Sequence, residues 1–586
     1  MPLPAPSAPR RFALRPALLA LCLGLLGATG QPGLAQDSGE TWQGDAGAFL
    51  AARAAASQSD YRAAADWFAR ALVSDARNPE LLKGAIVANI GLGEFGPAAN
   101  MEQVLEELGT QSQAGYAALL VRDIQAMDYE AVLTRTAAGS KEGALLDQLL
   151  TAWAQVGLGR MSDATQTFDR LIKTRNLAVF GLYHKALALA SAGDFEGADR
   201  IFADPNRGAR QMSGRGVLAH ATVLSQLERN ADALALLDAT FDKSSDPQLE
   251  EFRRRLAAGE PVPFDIVANA QEGLAEVFYT VAVALGQEND ATHTLIYARG
   301  AQALRPDQED IVLLVAELLQ NQNQHDLAIE VYGSIAPDSP TFHIAEIGRS
   351  MATHAAGRGE AAIEILQGLT RSKPDLLVAH VALADAYRRA ERFAEARSVY
   401  TTAIDLLGTP APENWPLFFS RGICAERLGD FEGSVADLRE ALRLNPDQPQ
   451  VLNYLGYSYV DRGENLEEAL GMIERAVAME PGSGYIIDSL AWAYYRLGRY
   501  EDAVEPMERA SLLEPVDPIV TDHLGDVYWA VGRKREAEFQ WQRALSYGPT
   551  EKDAPRIRRK LEIGLDAVLA EEGAPPLAPV EAKATP

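Results

Sequence analysis

The chain has 586 residues, 47% of them apolar, which is enough to bury a large core and argues against global disorder. Its formal net charge of −27 sets nucleic acid and anionic membranes aside as partners, because both carry the same sign. Abundant alanine with few β-branched runs favours helix over strand.

At the N-terminus, Arg10, Arg11 and Arg15 precede an apolar run, ALLALCLGLLGA, from Ala17 to Ala28. Gly33-Leu34-Ala35 then sets small residues ahead of Gln36. This order of basic, apolar and small residues is that of an export signal, residues 1–35, cleaved after Ala35. The apolar run is too short to span a bilayer, and no later stretch approaches the ~18 apolar residues a transmembrane helix needs. Cys22 leaves an alternative, a lipid anchor, although the bulky Leu21 stands where lipidation needs a small residue. Cys424 is expected as a small buried hydrophobe, and removal of Cys22 with the signal would leave it without a disulfide partner.

Beyond the signal a 34-residue period governs the chain. Pro481, Pro515 and Pro549 lie 34 apart and close three similar segments. A small residue recurs at a matching position: Ala64, Ala98, Ala131, Ala164, Ala198, Ala233, Thr294, Ala328, Ala362, Ala396, Ser434, Ala469, Ala503 and Ala537. About fourteen units result, those around Ala98, Ala131 and Ala198 being degenerate. Each is expected to be a pair of antiparallel helices, with small residues where the helices approach and bulky ones beside them. Gly498 and Gly532 suit the left-handed cap of the first helix, and proline ends the second. Two spacings break the rhythm: a Pro-rich loop, Gly408 to Pro416, and an extra helix within Gln248 to Phe264, where Glu250-Glu251 face Arg253-Arg254-Arg255 at helical spacing. The sequence thus divides into an N-terminal array (40–247), an inserted helix and linker (248–265), a C-terminal array (266–550), a capping helix (551–572) and a disordered tail (573–586).

These units resemble the tetratricopeptide repeat (TPR) family at its signature positions: Gly456 with Tyr459, Ala491 with Tyr494 and Gly525 with Tyr528 on first helices; Ala469, Ala503 and Ala537 opening second helices; Ile473 with Ala476, Met507 with Ala510 and Trp541 with Ala544 after them. The resemblance implies an all-α, right-handed α-solenoid superhelix. The stretches LNYLGYSYVDRGENLEEAL (Leu452 to Leu470) and HLGDVYWAVGR (His523 to Arg533) look like a subgroup of envelope repeat proteins of Gram-negative bacteria. Some of those resemble adaptors for carboxy-terminal processing proteases. With the export signal, this places the mature protein in the periplasm, or in the outer membrane if Cys22 is lipidated.

The family lines its groove with first helices, so the resemblance puts Asn453, Tyr457, Asp488, Trp492, Tyr495, Arg496, Asp522, Asp526 and Trp529 on a partner-binding groove. The strip is aromatic with acidic flanks, suited to a segment with apolar anchors and some basic residues. The alternative for each ring is packing between neighbouring repeats. The places where chaperone-binding members hold a C-terminal carboxylate carry Asn453, Tyr457 and Asp488 and no lysine, which argues against that ligand mode. Gly91 to Gly96 formally matches G-x-G-x-x-G but follows no strand and is read as an inter-helix turn. His523 beside Asp522 and Asp526 is read as a polar helix face. No zinc, Walker or nucleophile-elbow motif occurs, no cofactor is called for, and the repeats leave no room for a catalytic domain. The expected function is a non-enzymatic scaffold or adaptor for other envelope proteins or their peptide segments, serving envelope proteolysis, cell-wall turnover or polymer export. The alternative is a solenoid that binds a polysaccharide or another non-protein ligand.

Overall fold

A computed structural model describes residues 45–137, 144–204, 214–241, 247–286 and 290–577. The export signal, Cys22 and residues 578–586 of the tail lie outside these described residues. Among the described residues the regular structure is 31 α-helices and one 3-10 turn, Pro412–Asn414, with no strand. Fourteen antiparallel helix pairs, one inserted helix and two terminal helices account for them.

Each of the fourteen tracked residues falls on the second helix of a pair, and all but one are buried. The exception is Ala131, half-buried on Tyr129–Ala137, where Val132 takes the buried position at 34 residues from Ala98. The alanine tracked there was one residue off the buried face. Side chains of Asp60, Asn78, Asp430 and Asp517 accept from free N–H groups at helix starts. Gly498 and Gly532 adopt φ 74° and 84° where first helices end. The Gly91–Gly96 stretch spans the turn at Gly93-Glu94 between Pro79–Leu92 and Phe95–Glu107.

The chain forms two compact units that divide between Leu369 and Thr370, within the helix Gly359–Ser372. The sequence expectation places the division at 248–265 instead. The inserted helix Pro247–Ala257 is present, but the chain on both sides of it shares one core, running from Tyr61 to Ala352. The reason lies in the helices that follow the insert. Ala270–Leu285 and Ala291–Leu304 are rich in apolar residues and buried over most of their circumference, so they need neighbours on several sides. They pack across first helices of the N-terminal pairs: Gln113–Gln125, Ala144–Gly157 and Ala178–Ser191.

Polar contacts fix that seat. Tyr183 donates to Glu276 at 2.8 Å, and Arg215 reaches the same carboxylate at 3.1 Å and Asp310 at 2.5 Å. Trp153 Nε1 donates to His184 Nδ1 at 3.1 Å, and His184 Nε2 meets Thr280 at 3.1 Å. Arg299 donates to the Gly91 carbonyl at 3.1 Å. Gly273 lies so close to Trp153 that a Cβ there would stand 2.2 Å from the indole. The faces of Gln113–Gln125, Ala144–Gly157 and Ala178–Ser191 are therefore occupied by the chain itself.

The second unit holds five helix pairs from Leu377–Arg389 to Lys534–Ser546. The single cap helix expected over 551–572 is two helices, Asp553–Ile563 and Leu565–Glu571. Gly564, at φ 82°, breaks it, and the Trp529 indole occupies the space a side chain would need, 2.6 Å from an added Cβ.

Candidate functional site

The nine groove candidates sit on three successive first helices, Pro449–Arg462, Gly484–Arg496 and Pro518–Ala530. Their surroundings differ from one helix to the next.

On the last of the three, the groove is closed by the cap. The Lys560 ammonium lies 2.6 Å from both Asp522 and Asp526 and has no exposed side-chain surface. Asp526 also accepts from Trp541 Nε1 at 2.9 Å, with Arg556 at 3.5 Å. Burial holds the Asp522 carboxyl above its ordinary pKa; the Lys560 charge opposes this. Trp529 donates to Asp566 of the second cap helix at 2.9 Å and leans on Trp541, centroids 5.3 Å apart. Asp522, Asp526 and Trp529 thus hold the cap in place.

On the middle helix, Trp492 lies between two rings. Tyr495 stacks on one side (4.7 Å, 12°) and His523 of the next repeat on the other (4.0 Å, 14°). His523 Nδ1 is 3.0 and 3.1 Å from the two oxygens of Asp488. Burial lowers the imidazole pKa, but the Asp488 charge and hydrogen bond, with Asp522 and Asp526 behind them, raise it above its ordinary value overall. A charged imidazole face-on to an indole adds a cation–π attraction. Asp488, Trp492 and Tyr495 therefore join two repeats, while Arg496 is exposed and donates to the Asp461 carbonyl at 3.1 Å.

The first helix is the open one. Tyr457 is half-buried and Asn453 lies one turn before it. The Asn453 side-chain oxygen is buried without a hydrogen-bond partner among the described residues. Glu426, on the preceding first helix Trp415–Arg427, accepts from Ser458 at 2.9 Å and from the Tyr454 hydroxyl. Burial raises the Tyr457 phenol pKa, and nearby Asp488, Asp461 and Glu426 raise it further against Arg496. The nine candidates are accordingly not one continuous open strip: three hold the cap, three join repeats, and Asn453, Tyr457 and Arg496 remain.

The sequence reading missed Lys560, Arg556 and Glu426, and it paired His523 with carboxylates on its own helix. The signal was present: His523 follows Asp488 by 35 residues and Lys560 follows Asp526 by 34, one repeat in each case.

The tetratricopeptide repeat family profile matches residues 381–449, 421–484, 455–512 and 489–552. These residues are tetratricopeptide repeats. A Pseudomonas aeruginosa protein described as TPR repeat-containing is 26% identical over 189 residues, 32% of this chain and 31% of that protein. The chain thus spans about a third of the length of the curated relative it matches. Among solved structures, the Cut9–Hcn1 hetero-tetramer of APC/C aligns over 88% of this chain and 96% of that one, at 15% identity and a TM-score of 0.38. Yeast Tom70 aligns over 90% and 98%, at 14% identity and a TM-score of 0.34. Tetratricopeptide repeats point to a protein–protein interaction scaffold, and their fold is generally non-catalytic. Among the described residues no helix is long and apolar enough to cross a membrane.

Proposed function

We propose that the chain is a non-enzymatic scaffold or adaptor, exported to the periplasm, that presents the groove of its C-terminal tetratricopeptide repeats to partner proteins of the envelope. Envelope proteolysis, cell-wall turnover and polymer export are the processes it would serve. The observation that carries this reading is the contrast between the two units. Helices that follow the insert cover the first helices Gln113–Gln125, Ala144–Gly157 and Ala178–Ser191 of the first unit, whereas in the C-terminal repeats Tyr457 and Arg496 keep exposed surface. The order of basic, apolar and small residues at 10–35 supports export.

A glycan-binding solenoid is the weaker reading. Sugars stack on free aromatic faces, and both faces of Trp492 are taken by His523 and Tyr495.

Retention from envelope extracts tests the proposal. Specific protein partners on the immobilised mature chain are expected; retention of the chain on glycan resin without protein partners would contradict it. Mass spectrometry of the mature protein should find Gln36 as its N-terminus, and a diacylglyceryl group on Cys22 would make it an anchored lipoprotein instead.

A further inference from the structure

We infer that the groove surface at Tyr457, flanked by Glu426, Asp461 and Asn453, takes a lysine or arginine side chain from a basic helical segment of a partner protein. The inference rests on the groove reading above and specifies the chemistry of what docks there.

Three observations converge on it. First, this surface has acceptors in excess. Glu426 accepts two hydroxyls and Asp461 is exposed, yet neither forms an ion pair among the described residues. Asp488 is already engaged by His523, so the charge left over around the Tyr457 hydroxyl is negative despite Arg496.

Second, Asn453 supplies an acceptor that nothing among the described residues uses. It is 7% exposed, on the face of its helix that carries Tyr457 one turn later, and its amide oxygen has no donor. A buried acceptor left unpaired costs free energy, which a donor from outside would recover.

Third, the chain shows how this register is filled elsewhere. Asn453 corresponds by repeat to Asp488 and Asp522, and Tyr457 to Trp492 and Asp526. At Asp488 the incoming group is His523, from the next helix. At Asp522 and Asp526 it is Lys560, delivered by the basic helix Asp553–Ile563, DAPRIRRKLEI. Twice, then, a basic side chain from a following helix enters this register position. On Pro449–Arg462 the following first helix offers Ser489, whose hydroxyl turns back to the Tyr485 carbonyl. The acceptors are in place without their cation, so charge complementarity selects a basic partner.

The test uses the full chain, whose own cap keeps Asp522 and Asp526 occupied. It is titrated with a fluorescein-labelled peptide of residues 551–572, and with a counterpart carrying Arg556→Glu, Arg558→Glu, Arg559→Glu and Lys560→Glu. The native peptide should bind, and binding should weaken as salt rises from about 50 to about 300 mM. Binding should also weaken at least about tenfold on the Glu426→Gln/Asp461→Asn double variant. The glutamate peptide should not bind. Glutamine keeps an acceptor for Tyr454 and Ser458, so the variant should melt with the native chain. Equal affinity for native chain and variant, equal binding of the two peptides, or no binding at about 1 mM peptide would overturn the inference. Envelope partners retained equally by native chain and variant would leave the scaffold reading standing and this surface excluded; an absence of partners on either would count against the scaffold reading itself.

Discussion

At the scale of single residues, two of the buried histidines, His184 and His523, illustrate opposite electrostatics. Trp153 can only donate, so His184 Nδ1 must accept and Nε2 carries the proton toward Thr280. Burial drives the His184 pKa down from 6.5 to about 4. Its unfolded pKa is the higher of the two. The stability it contributes is therefore full above pH 6.5 and is lost as pH falls toward 4, up to about 3 kcal/mol. Thermal unfolding of the first unit followed across that range should show the loss. His184→Leu should flatten the acid dependence while lowering the melting temperature at neutral pH, since Trp153 loses its acceptor. His523, raised by Asp488, has the opposite sign: its contribution is present below the unfolded pKa and fades as pH rises through the folded one. Lys560 is the other decisive residue. Lys560→Met would leave Asp522 without its cation and Asp526 with Arg556 alone, and breaking such a buried pair costs about 3–5 kcal/mol. A melting temperature unchanged by that substitution would show that the cap does not depend on it. None of these roles was legible from local sequence, because each partner lies a repeat or more away.

At the scale of elements, the 34-residue period located the second helices well, because a small residue is required wherever two helices touch. It could not say what else covers a first helix. AQEGLAEVFYTVAVAL, residues 270–285, spreads apolar residues over most of its circumference, and that pattern was the available sign of a helix enclosed by neighbours. Gly273→Ala tests its seat on Trp153. Overpacking of this kind costs about 1–3 kcal/mol, and differential scanning calorimetry should register it as a lower melting temperature. The aromatic strip was legible as a set of residues but not as an arrangement. Trp492 fills the space between repeats and Trp529 seats the cap, so Trp492→Ala and Trp529→Ala should each lower stability, by about 3 kcal/mol, before they alter partner affinity. Loss of affinity with an unchanged melting temperature would instead make either ring a docking anchor.

At the scale of the whole molecule, the extra helix near 250 suggested a boundary because it breaks the repeat rhythm. Rhythm reports connectivity, however, and compactness is decided by which apolar faces meet. A proteolytic nick in the 258–266 linker should leave two fragments that stay together under native conditions, since Ala270–Leu285 packs on helices from before the insert. Fragments that separate on native size exclusion would restore the boundary at the insert. The most direct measurement of the central claim, a groove in the C-terminal repeats that docks basic partner segments, is site-specific photo-crosslinking in envelope extracts. A photoreactive phenylalanine analogue replaces Tyr457 in the groove or, as control, Glu505 on the outer face of the second helix Tyr500–Leu513. The account predicts a partner crosslinked through a lysine- or arginine-rich peptide at position 457 and absent at 505. Equal crosslinking at both positions, or crosslinking at 505 alone, would contradict it.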